Sequence, residues 1–166
     1  MMKLTILAFI TVGFLSCHSS GGSDSQVLQR KVDSLEARLA RTYKPGLGEF
    51  MSNIQEHHVK LWFAGKNENW KLAEFEIQEI KETIGDIQLY AGDRKEIPML
   101  SMINPAVDSL VLAIGKKDPV RFNSGFSLLT KTCNTCHQAV GYPFNVIKMP
   151  EENPYSNQDF SSGKTK

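Results

Sequence analysis

Cys133, Cys136 and His137 stand in the spacing C-x-x-C-H within residues 131–138. On a helix, positions i, i+3 and i+4 share one face, so both sulfurs and the imidazole are presented together. Two thiols so placed can add to the two vinyl groups of one porphyrin while the imidazole reaches the iron. This is the attachment signature of a c-type haem, and histidine is a usual proximal ligand to haem iron. The spacing therefore predicts one covalent haem c on Cys133 and Cys136, with His137 as the proximal metal ligand. Two other chemistries use the same pair. A redox dithiol calls for a strand leading into the motif, and nothing strand-like precedes it. A structural zinc site needs two further ligands, and there is no second C-x-x-C.

The chain begins with Lys3 ahead of an apolar run from Leu4 to Leu15, the layout of a secretory signal and too short to span a bilayer as a mature helix. The run ends Phe14-Leu15-Ser16-Cys17, which resembles the lipobox of bacterial lipoproteins. That resemblance implies a signal peptide over 1–16, cleavage before Cys17, and lipidation of Cys17. The alternative is an ordinary cleaved signal followed by a stray cysteine. Lipid on one cysteine and haem on two would account for an odd exported count of three. Both motifs imply export to the bacterial cell envelope, lipid-anchored to a membrane and facing the periplasm or the surface. Without residues 1–16, acidic and basic residues balance, and no basic patch argues for nucleic acid.

Residues 17–25, rich in Gly and Ser, read as a tether. Residues 26–44 follow as a coiled-coil-like helix, with Leu28, Val32, Leu35 and Leu39 spaced four, three, four. So short a seam is marginal alone in water; it pairs with a second copy, giving a homo-oligomer through residues 26–43, or docks on its own domain. Pro45, Gly46 and Gly48 mark the boundary to the main domain.

Four further helices are expected. The first covers 49–64, with Met51, Gln55, His58 and Trp62 on one stripe, and is broken by Gly65 and Asn67. The second covers 69–89, with Ile77, Ile80, Ile84 and Ile87 on one face and Gly85 as a weak point. A loose connection over 91–103 leads to a third, with Asn104 as N-cap and Pro105 after it; Gly115 stops it. The fourth starts at Asp118-Pro119 and carries Phe122, Phe126, Leu129, Cys133, Cys136 and Val140 on its seam, up to Gly141. Short links between amphipathic helices predict an all-α fold: an up-down four-helix bundle over 49–141, covalent haem on its last helix, an extra N-terminal helix and a tail over 142–166.

A C-x-x-C-H near the end of a fourth helix resembles the class II cytochromes c, the cytochrome c′ type, over roughly residues 49–141. The resemblance implies the bundle, covalent haem and His137 as proximal ligand. In electron-transfer members of that class a methionine early in helix one is the distal ligand, and Met51 occupies a similar place. The chain departs from the class in its lipid anchor, its extra helix and the 29 residues after His137. Residues 55–73 and the tail motifs Pro143-Phe144 and Pro154-Tyr155-Ser156-Asn157 also resemble a group of small exported haem proteins.

Antiparallel packing sets Met51 and His58 opposite His137, about 10 Å apart along their helix at 1.5 Å per residue. Only one of them can sit over the iron: Met51 is the expected distal ligand and His58 the alternative. Met51 as a core gap-filler, and His58 as a pocket histidine bonded to backbone or propionate, stay open. His57 falls off the stripe and reads as solvated, as does the acidic face from Glu74 to Glu82. Trp62, Trp70, Phe122 and Phe126 read as core, and Met149 as tail packing. A His/Met pair suits electron transfer; an open site invites NO or CO. The expected function is a one-electron carrier with an unidentified redox partner, not an enzyme, with a five-coordinate gas-binding protein or sensor as the alternative. A peroxidase is the weakest reading, because no distal His-Arg pair can be placed along the chain.

Overall fold

The computed structural model describes residues 21–161, with side chains from Asp24 onward. The signal segment, Cys17 and the first tether residues lie outside the described residues. Two compact units divide the chain at Tyr43 and Lys44. The first contains α1, Gly21–Ala40, which begins inside the stretch expected to be a tether. Its seam residues Leu28, Val32, Leu35 and Leu39 are all exposed. Gln29 donates to Asp33 one turn on, at 2.8 Å, a local support of the kind that stabilises solvated helices.

The second unit holds α2 (Leu47–Lys66), α3 (Trp70–Tyr90), a single turn α4 (Ile97–Leu100), a 3-10 turn (Ser101–Ile103), α5 (Asn104–Gly115) and α6 (Pro119–Ala139). The described residues are all-α, with no strand among them. The α2–α3 and α5–α6 links are built alike. Glu68 and Lys117 take the left-handed conformation, at φ 55° and 53°. Asn69 N–H then bonds Ala64 O at 2.9 Å and Asp118 N–H bonds Ala113 O at 3.0 Å, the six-to-one closure of a Schellman turn. The residue after each turn caps the next helix: Asn69 Oδ1 accepts from Leu72 N–H, and Asp118 Oδ1 from Val120 and Arg121 N–H. So short a reversal returns each helix along its predecessor.

Packing follows chain order, α2 on α3, α3 on α5 and α5 on α6, while α2 and α6 touch at fewer points. The two are antiparallel, since Gly65 near the end of α2 meets Phe122 near the start of α6. Leu61, Ile77, Ile80, Leu110, Phe122 and Phe126 form the fully buried centre. Trp62 and Trp70 are half-buried against it, Trp62 tilted on Phe126 at 4.8 Å and Trp70 edge-on to Phe122 at 6.0 Å.

Four local expectations are corrected. Gly65 does not break α2, which continues to Lys66; the glycine is there because a Cβ would overlap the Phe122 ring. Asn104 is not a cap but helical, at φ −54° and ψ −47°, because a 3-10 turn already feeds the helix and Ile103 holds the cap position. The connection over 91–103 is not loose: Ala91, Leu100 and Ile103 are buried and Pro98 opens α4. The run Ile97–Gly115 is apolar enough in length and composition to cross a membrane, and Leu100, Ile103, Ala106, Val107 and Leu110 within it are in the core.

His57 and Glu76 give the fourth. Neither is solvated: Glu76 is 1% exposed, and its carboxylate lies 2.7 Å from His57 Nδ1. A helix between two neighbours buries two faces, and the Met51–His58 stripe is only one of them. The other faces α3. Burial pushes the Glu76 carboxyl up, against the lowering pull of its hydrogen bond to His57.

The tail is not a loose end. Phe160 is buried beside Phe63, with ring centres 5.9 Å apart. Lys60 Nζ lies 5.0 Å above the Tyr155 ring, and Asn69 Nδ2 donates to Ser161 O at 2.7 Å. The tail thus joins the end of α6 to the start of α3 and covers α2 on the way.

Two glycines within helices, Gly65 near the end of α2 and Gly85 inside α3, should respond to alanine with opposite signs. Gly65→Ala overpacks against Phe122, a class of change costing about 1–3 kcal/mol, which outweighs a propensity gain of ~1 kcal/mol. Gly85→Ala meets nothing within 4 Å and keeps the propensity gain. Urea midpoints should therefore fall for the first and rise for the second. A rise for both would refute the close approach of Phe122.

Candidate cofactor site

A cavity of about 310 Å³ opens between the first half of α2 and the last turns of α6, within the ~300–1,000 Å³ usual for small-molecule and cofactor sites. Cys133, Cys136 and His137 line it from α6, and Met51, Gln55 and His58 from α2. Ile97, Leu100 and Ile103 close an apolar side, and Tyr142, Asn145 and Ile147 of the tail border the floor. The predicted site residues are therefore brought together on one cavity, while His57, Met149 and the two tryptophans do not border it.

The motif lies inside α6, a continuous helix whose start is set by Asp118 and Pro119. Burial pushes the Cys133 thiol up to about 11, and Cys136 is raised by the same cause. A redox dithiol needs the opposite, a depressed pKa in an electropositive and open setting. Among the described residues no three His, Cys, Asp or Glu side chains gather as ligands for a bare metal ion, as a zinc site requires. A haem site asks for less: two thiols, one imidazole and an apolar cradle, which is the donor set present.

His137 Nδ1 lies 2.6 Å from the backbone oxygen of Asn145. A carbonyl only accepts, so Nδ1 carries the proton and Nε2 keeps its lone pair. Metal-bound histidines are usually oriented in this way, by a bond from the other ring nitrogen. The turn that brings Asn145 back is closed by Tyr142 N–H to His137 O at 2.7 Å and Asn145 N–H to Tyr142 O at 3.0 Å. It needs φ +90° at residue 141, a conformation open to glycine, and Gly141 is there.

His58 is 3% exposed and lies on Phe126, ring centres 4.3 Å apart. Its Nε2 is 2.9 Å from Thr130 Oγ1, and that hydroxyl is also 3.0 Å from Phe126 O. The hydroxyl proton goes to the carbonyl, so His58 Nε2–H donates to Thr130 and Nδ1 keeps the ring's lone pair. Burial lowers the His58 pKa from 6.5 to about 4, which keeps the ring neutral. Met51 is half-buried and lines the same cavity two turns earlier on α2.

Arg94 and Glu96 also line the cavity and were missed along the chain. Arg94 Nη2 and Nε donate to the two Glu96 carboxylate oxygens at 3.1 and 3.3 Å, and the guanidinium holds that carboxyl below its usual range. They sit on irregular backbone, where no hydrophobic period points at a site. Tyr142, Asn145 and Ile147 were missed for the same reason.

The His58 shift carries a pH dependence. The folded pKa lies below the unfolded one, so the contribution is whole above pH 6.5 and is lost as pH falls toward 4. About 2.5 units at 1.36 kcal/mol each gives on the order of 3 kcal/mol. His58→Gln keeps an amide donor for Thr130 but does not titrate. The haem-free chain should lose denaturant stability between pH 6.5 and 4, and the variant should lose less; equal slopes would show that His58 is not buried neutral.

No family model matches the chain, and no curated protein or solved structure is significantly similar to it.

Proposed function

We propose that this chain is a membrane-anchored c-type cytochrome, a four-helix haem bundle that carries single electrons in the bacterial cell envelope. The observation that carries the reading is the convergence of Cys133, Cys136 and His137 on one cavity wall, with His137 Nδ1 bonded to a carbonyl and Nε2 left for iron. Haem, when bound, supplies a one-electron ferric/ferrous couple. Cys133 and Cys136 would hold it by thioethers, and His137 would ligate the iron. Met51 from α2 would supply the sixth ligand, with His58, whose ring is packed on Phe126, as the alternative. Ile97, Leu100 and Ile103 keep water off that side. Arg94 and Gln55 are the polar side chains suited to the carboxylates of a porphyrin.

An electron carrier asks for little else: a ligand set that is the same in both oxidation states, and a rim that reaches a partner. Lipid on Cys17 would hold the protein at a membrane, and the exposed seam of α1 offers a surface to a second copy. Two or more acyl chains anchor stably where one is marginal. Cys17→Ser should accordingly release a soluble, haem-loaded protein from the membrane fraction; an unmodified Cys17 thiol in the mature wild type would refute the anchor. Visible spectra of the oxidised and reduced protein, with and without CO, test the function. Low-spin spectra indifferent to CO support the carrier, whereas a high-spin ferric form and prompt CO binding would replace it with a gas-binding protein.

A further inference from the structure

We infer that Asn134, the first residue between the two cysteines, is a positioning residue that sets the potential of the iron by clamping the tail onto α6. The inference rests on the reading of Cys133, Cys136 and His137 as a haem c site. Asn134 Nδ2 donates to Ile147 O at 2.8 Å, and Ile147 N–H donates to Asn134 Oδ1 at 2.8 Å. One side-chain amide thus satisfies both backbone groups of a single tail residue. Aspartate would lack the donor, and glutamine would set the amide one methylene too far.

The clamp has a register. His137 meets Asn145, Asn134 meets Ile147, and Thr130 Oγ1 meets Met149 Sδ at 3.6 Å. Each turn of α6 is matched by two residues of a tail without regular structure that runs the opposite way. The carbonyls of Asn145 and Ile147 both meet α6, so fixing Ile147 holds the short stretch of backbone that carries Asn145 O. The Asn145 carbonyl receives the His137 Nδ1 proton at 2.6 Å. Asn134 is therefore connected to the iron ligand's own hydrogen bond through the tail backbone from Ile147 to Asn145, by a route that leaves Asn134 itself outside the coordination sphere.

A donor bond from the far nitrogen makes the ligating imidazole richer in electrons, which favours ferric over ferrous iron and lowers the potential. Loosening the clamp should weaken that bond. Outer-shell partners of metal ligands act at the level of ten- to a hundredfold. Asn134→Ala should shift the ferric/ferrous equilibrium about tenfold toward ferrous, a rise of ~59 mV for one electron.

The experiment uses the haem-loaded full chain. Potentiometry should show the rise in Asn134→Ala, and NMR of the ferric protein should show faster exchange of the His137 Nδ1 proton. Two controls separate positioning from general loosening. Thr135→Ala removes the hydroxyl of the other residue between the cysteines, which bonds Lys131 O of its own helix, and should leave both readouts unmoved. Phe160→Ala empties a buried site at the far end of the tail and should lower stability without moving the potential. If Asn134→Ala is recovered without haem, Asn134→Ser, which keeps one hydrogen-bonding group, should give an intermediate potential. A wild-type potential and exchange rate in a haem-loaded Asn134 variant would overturn the inference while leaving the cytochrome reading intact. Wild-type protein without covalent haem would instead end that reading.

Discussion

Replacing Cys133 and Cys136 together by alanine should remove the haem while leaving the helical fold. The two thiols are the only covalent attachment the cavity offers, and wild-type haem should survive acid-acetone extraction that strips non-covalent haem. The double variant should lose its Soret absorbance after that treatment, a change from full to none. Its far-ultraviolet circular dichroism should persist, because the fully buried core of Leu61, Ile77, Ile80, Leu110, Phe122 and Phe126 does not include either cysteine. Each single alanine variant should keep one thioether and resist extraction, with a red-shifted reduced band from the vinyl group left unsaturated. Loss of the helical signal along with the haem would mean the cysteines serve the fold and not the cofactor.

Met51→Ala should open the other side of the iron. Thioether ligation gives low-spin ferric haem a weak far-red band and a raised potential, since the axial ligand is a main lever on potential. The variant should lose that band, become high-spin and bind CO in the ferrous form at once. His58→Ala should leave the band in place, because the thioether of Met51 is the expected source of the band and the His58 ring lies on Phe126. The reverse pattern, in which only His58→Ala opens the iron, would make the pair His/His with a lower potential. Indifference of the wild type to both changes, with CO binding from the start, would leave neither residue as a ligand.

What could be read along the chain is what repeats within a helix. Cys133, Cys136 and His137 share a face by spacing alone, and Pro119 after Asp118 starts the helix that carries them, so the wall was legible. Met51 and His58 were legible as its opposite wall because a short α5–α6 link and a short α2–α3 link force antiparallel neighbours. The second buried face of α2 was not. A stripe analysis credits each helix with one partner, whereas α2 has both α3 and the cavity, so His57 and Glu76 were placed in solvent. The rim and floor were not legible either. Arg94, Glu96, Asn145 and Ile147 stand on irregular backbone, and the bonds that place them join residues 8 to 13 apart or close a tight local pair. Asn134 was in view throughout, as an unspecified position of the motif, but only the returning tail shows what its amide is for.

The most direct test is the intact mass of the mature wild-type protein after acid-acetone extraction, read together with its reduced absorption spectrum. A mass equal to the chain and its lipid plus one haem, with a sharp reduced α band, is the result expected if Cys133 and Cys136 are thioether donors. A chain mass with two titratable thiols, a disulfide between them, or bound zinc and no Soret absorbance would contradict it.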